Sequence, residues 1–131
     1  MTRMTLTVVA AVLLSAPAVR GHHSYAGFYD TKERTVAIEG TLEEFQYANP
    51  HVIMTIRTAD SALYTVIWQS SMWVSRQANV SKDTFKPGDR LVVIGSPSRD
   101  PRSREVTQVR EVRRPRDQWI WRTGAPFAAP S

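Results

Sequence analysis

Five stretches of this chain place apolar residues at every second position, and that period admits little except a small antiparallel β structure. Residues 35–47 carry Val36, Ile38 and Leu42, then change phase to Phe45 and Tyr47. A phase change inside a strand predicts a bulge near Glu43-Glu44, with Gly40 easing a bend. Residues 52–58 alternate, and the polar turn Ala59-Asp60-Ser61 leads into residues 63–69, so the pair reads as a hairpin. Ser70 or Ser71 can cap a short helix that runs to about Ala78. Lys86-Pro87-Gly88-Asp89 has proline and glycine where a type II turn requires them. Residues 90–96 form a strongly apolar strand, 97–103 a polar loop and 104–112 the last strand, which Pro115 terminates.

The order is therefore βββαββ. So short a set must bury two faces, and a closed barrel does this while leaving few free edges. The expected class is all-β with one short helix, a small five-stranded OB-like barrel over residues 35–115. A small open α+β sheet is the competing arrangement. Residues 22–34, with Tyr25, Phe28 and Tyr29, read as an N-terminal arm. Residues 116–131 read as a poorly ordered C-terminal tail in which Trp119 and Trp121 can dock.

Residues 1–21 have the order of an export signal: Met1 and Arg3, an apolar run from Leu6 to Leu14, then small residues and Pro17. The run is too short to span a bilayer, and no later segment is apolar enough to do so. Val19 and Gly21 suit cleavage after Gly21; Ala16-Pro17-Ala18 also suits cleavage after Ala18. The expectation is a periplasmic or secreted domain of about 110 residues, enough for one modest core. Cysteine is absent, which excludes disulfides, thiolate metal sites and a cysteine nucleophile. The formal charge of +5 falls to +3 once Arg3 and Arg20 leave with the signal. Eight arginines against four acidic residues between positions 99 and 122 read as a solvated strand and tail. Export argues against a nucleic-acid partner; a periplasmic protein partner stays open.

His22-His23-Ser24 directly after the signal, Glu39-Gly40-Thr41 followed by Asn49-Pro50-His51, Trp68 closing the third strand, and Lys86-Pro87-Gly88-Asp89 before the fourth form a pattern. With it the chain resembles an uncharacterised family of secreted bacterial proteins, domain-of-unknown-function family 6152. The resemblance covers nearly the whole mature chain and implies export and a small β domain, with no assigned activity. Ser70-Ser71-Met72-Trp73 departs from the Pro-Asn-containing turn usual in that family.

The three histidines carry the chemical hint. Cleavage after Gly21 would give His22 a free amine beside its imidazole, and His51 lies in the loop between the first two strands. Imidazole and amine nitrogens suit Cu(II) in a tetragonal site, or zinc. The candidate metal ligands are His22, His23 and His51, with Asp30 as a carboxylate ligand or hydrogen-bonding support. Surface histidines and a turn-capping His51 are the plain alternative. Cleavage after Ala18 would remove the amine.

Phe45, Tyr47, Tyr64, Trp68 and Trp73 could form a stacking platform, although Trp68 and Trp73 read as core. Tyr47 and Asn49, beside the His51 loop, are the candidate ligand face. Arg57, Arg90 and Arg110 either line that face or reach out to water. No catalytic residue is assigned. Glu43 and Glu44 are adjacent and point apart in a regular strand, and no Gly-x-Ser-x-Gly elbow or HExxH helix exists. The reading is an exported non-catalytic binding domain, with copper or zinc as its specific version. The alternative is an interaction or accessory module using the sheet edge, the Arg-rich last strand and the tail.

Overall fold

The structure, a computed structural model, describes residues 34–124. Strands β1 (Val36–Gln46), β2 (Ile53–Thr58) and β3 (Leu63–Ile67) are followed by helix α1 (Ser71–Ala78), then β4 (Arg90–Pro97) and β5 (Glu105–Arg114). β2 pairs antiparallel with both β1 and β3, and β4 with both β1 and β5. A short parallel pairing of β3 with β5, Thr65↔Glu105 and Val66↔Val106, closes the five strands into a barrel. The order βββαββ is the one the alternation predicts, and the open-sheet alternative is excluded.

β1 serves two neighbours because it bends. Its first half pairs with β4 and its second with β2, the two overlapping at Gly40 and Thr41. A Cβ on Gly40 would lie 2.2 Å from the Arg57 carbonyl oxygen, so only glycine allows this approach. Two residues later the register slips between Leu42 and Glu44. The slip leaves Glu43 outside the ladder, where its carboxylate pairs with Arg57. That guanidinium's hydrogen bond holds the Glu43 carboxyl below its ordinary value. The turn at residues 86–89 takes its expected form: Asp89 N–H donates to the Lys86 carbonyl at 3.0 Å, and Gly88 has φ +95°.

Inward residues of all five strands, among them Leu42, Met54, Ile56, Val66, Leu91, Val93 and Val112, are fully buried. The helix closes one end of this core with Val74 and Ala78. Ser70 is its N-cap, accepting from Trp73 N–H at 3.3 Å.

The stretch expected as a tail begins differently. Pro115–Asp117 is a 3₁₀ turn, and Trp119–Arg122 forms a further strand, β6, antiparallel to β5. Trp119 and Trp121 point inward while Ile120 and Arg122 face out, the ordinary alternation of a strand. The Trp119 ring meets Phe85 edge-on at 5.0 Å, and Trp121 packs on Trp68 and Trp73 at 5.2 and 5.8 Å. Trp121 Nε1 also donates to the Gln77 carbonyl at 3.1 Å, so β6 ties the helix to the barrel. Burying two indoles outweighs the entropy of ordering four residues, which is why this segment is not a tail.

Below β6 lies a buried ion cluster. Asp89, 5 % exposed, receives Arg114 at 3.2 Å and Arg116 at 3.1 Å. Arg114 also grips Asp117 at 2.8 Å, donates to the Thr84 carbonyl and lies 5.5 Å above the Phe85 ring. The Arg114 guanidinium holds the Asp117 carboxyl below the ordinary carboxylate range.

Candidate functional site

β5 changes partners along its length, and the change makes a cleft. Its start is paired with β3 and its end with β6, whose continuation Thr123 still donates to the Arg110 carbonyl at 2.8 Å; between them, residues 107–109 have neither strand partner. On the β4 side the register jumps from Ile94↔Glu111 to Ser96↔Thr107, so residues 108–110 oppose the single Gly95. Gln108 takes φ +49°, in the left-handed region that a side chain seldom adopts. Gly95 permits the bulge, because a Cβ there would meet the Thr107 carbonyl oxygen at 2.6 Å.

Where β3 and β5 part, a cleft of about 200 Å³ opens. Its walls include Trp68 and Gln69 after β3, Trp73 on the helix, and Thr107, Gln108 and Arg110 on the bulge. Arg110 Nη2 lies 3.5 Å from the Ser96 hydroxyl, and Thr107 Oγ1 lies 3.4 Å from the Ile67 carbonyl. Among the described residues no aspartate or glutamate lines the cleft, and Arg110 is the charged residue that does. Trp68, 3 % exposed, has an indole N–H with no hydrogen-bond partner among the described residues. A buried N–H in that state costs roughly 1–3 kcal/mol.

His51 meets the backbone of Trp68 and is not among the described residues that line the cleft. Its Nδ1 is 3.0 Å from the Trp68 carbonyl oxygen, and the flanking backbone bonds between Val52 and residues 68–69 fix the loop. The same loop is tied to the helix start: Asn49 Oδ1 accepts from Ser71 N–H at 3.2 Å and Ser71 Oγ–H at 2.9 Å. The Tyr47 hydroxyl lies 2.9 Å from the Ser71 carbonyl and 3.2 Å from that of Val80. Tyr47 is half-buried against the core, so Tyr47 and Asn49 hold loop and helix together.

The residues singled out in the sequence therefore separate. His51 is placed; His22, His23 and Asp30 lie outside the described residues. Among the described residues no three His, Cys, Asp or Glu side chains gather into a metal-sized group. Trp68 is core, as read, and Trp73 packs against it half-buried. Arg57 and Arg90 do not join Arg110: both flank Thr41 across the outer surface and pair with Glu43 and Glu39. Sequence reasoning missed the bulge. Its signal was present, since the inward-facing Val106 and Val109 stand three apart where a regular strand requires an even spacing.

Among the described residues no helix is long and apolar enough to cross a membrane. The model of a family of unknown function, DUF6152, matches residues 9–107. No curated protein matches the chain significantly.

Proposed function

We infer that this chain, which belongs to the DUF6152 family, is a non-catalytic binding domain working outside the cytoplasm, and that it holds a copper or zinc ion. One observation supports the metal: the 3.0 Å contact of His51 Nδ1 with the Trp68 carbonyl. A carbonyl only accepts, so Nδ1 carries the hydrogen, and the neutral tautomer of that kind has its acceptor lone pair on Nε2. Backbone carbonyls orient metal-ligating histidines in this way, fixing both tautomer and ring plane.

In this reading His51 Nε2 is one ligand. The amine and imidazole of His22, or the ring of His23, supply others after cleavage behind Gly21, and Asp30 adds a carboxylate. Residues 24–35 reach up to roughly 40 Å when extended, at ~3.3 Å per residue, ample for a barrel of this size.

The test is calorimetric and spectroscopic titration of the chain processed to begin at His22. One Cu(II) per chain with a nitrogen-rich spectrum is expected, and His51→Ala or His22→Ala should each weaken binding at least tenfold, about 1.4 kcal/mol. Weak uptake without stoichiometry, unchanged in His51→Ala, removes the metal from the reading.

A further inference from the structure

We propose that the cleft between the end of β3 and the β5 bulge is the seat of the chain's own segment 125–131, with Phe127 as the side chain that enters it. The proposal is independent of the metal, since it uses neither His51 nor the N-terminal arm.

Connectivity argues first. The cleft wall includes Thr123, the residue that follows β6. Its N–H donates to the Arg110 carbonyl at 2.8 Å, so the chain leaves its last strand against the bulge itself. Gly124 then takes φ +77°, a left-handed turn residue, and segment 125–131 starts from there. Phe127 stands four positions after Thr123, within ~13 Å of it at ~3.3 Å per residue. A ring on so short a tether faces the cleft at an effective concentration on the order of millimolar, with no second molecule to capture. The N-terminal arm starts further off. It joins β1 at Val36, which pairs with Gly95, and β4 lies between that strand and β5.

Composition argues next. Ala125, Pro126, Phe127, Ala128, Ala129, Pro130 and Ser131 include no charged side chain. The two prolines restrict the free segment, so docking it orders fewer torsions, and proline-bearing extended segments dock on aromatic walls. Trp68 and Trp73, with Ile67 and Val109, supply such walls among the described residues. The size agrees. The cleft holds about 200 Å³, and an apolar cavity of ~150 Å³ takes up benzene, so one phenyl ring is the natural occupant. Beside it, residues 107–109 pair with neither β3 nor β6, which leaves an interval of strand edge for an extended backbone to follow.

The experiment is NMR of the unaltered chain without added metal, with labelled phenylalanine and tryptophan. Nuclear Overhauser contacts between the Phe127 ring and the indole of Trp68 or Trp73 are expected. Phe127→Ala should abolish them and shift those indole signals while the core resonances of β1, β2 and β4 stay in place. A Phe127 ring at free-chain shifts, without contact to either indole, overturns the proposal. Contacts from Tyr25, Phe28 or Tyr29 to the same indoles overturn it in favour of the arm. Contacts that vanish on dilution overturn it in favour of a second copy. The contacts are read on the unaltered chain, so they decide the matter whatever the variant does.

Discussion

Two stretches of the same strand are built in opposite ways. At its end, residues 111–114 of β5 lie between β4 and β6, and Arg114 gathers Asp89, Asp117 and the Thr84 carbonyl about one guanidinium. In its middle, residues 107–109 pair with neither β3 nor β6, the strand bulges away from β4 across Gly95, and it borders a cleft lined by Trp68, whose indole N–H has no partner among the described residues. Ion pairs gather at the first stretch, whereas the second borders Trp68, whose buried indole N–H has no partner among the described residues. A barrel needs its strands welded somewhere; because the weld sits at one end, the middle can stay incomplete, and an incomplete wall is where an added segment has something to supply.

The comparison breaks first if the weld is not a weld. Arg114→Met leaves Asp89, 5 % exposed, with Arg116 as its remaining cationic partner among the described residues. Removing one partner of a buried pair costs about 3–5 kcal/mol, and the remaining contact puts the expected loss near ~3 kcal/mol by urea unfolding. A loss below about 1 kcal/mol would mean the cluster is ordinary surface charge.

The second measurement sharpens the contrast between satisfied and unsatisfied indoles. Trp121→Phe deletes the N–H that Gln77 accepts, whereas Trp68→Phe deletes one that nothing among the described residues accepts. Both lose similar ring area, so Trp121→Phe should cost more, by about 1 kcal/mol, the net value of a hydrogen bond. Equal costs would indicate that Trp68 is satisfied in solution.

Acid gives the smallest effect. Asp117 is held below its ordinary value, near ~3.9, by Arg114. A depressed carboxylate contributes stability that is complete above that ordinary value and lost as pH falls through the folded one. Its side chain is 45 % exposed, so screening keeps the contribution to about 0.5 kcal/mol. Unfolding curves should therefore shift slightly below about pH 4, and Asp117→Asn should flatten that shift.

Much of the fold was legible because its causes are local. The change of phase after Leu42 announces the β1 bulge, and Pro87-Gly88 the turn before β4. β6 was legible too, in the alternation of Trp119, Ile120, Trp121 and Arg122, but four residues following a proline read as tail unless the surface they cover is known. The ion cluster was not: Asp89 and Arg114 are 25 positions apart, and nothing local to either requires the other. Likewise the cleft arises from Gly95 facing residues 108–110 across two strands, a relation that belongs to register and not to either segment. Of the candidate site, sequence could name His51; only the fold shows that it meets the carbonyl of Trp68, whose residue also lines the cleft.

Among the described residues β6 is the last piece of the interior in chain order, and this imposes an order of events. Until residue 122 is free of whatever is making or moving the polypeptide, the ring faces of Phe85, Trp68 and Trp73 lack their cover. A nascent copy thus keeps these aromatic faces uncovered until β6 has emerged, and it becomes a finished domain only then.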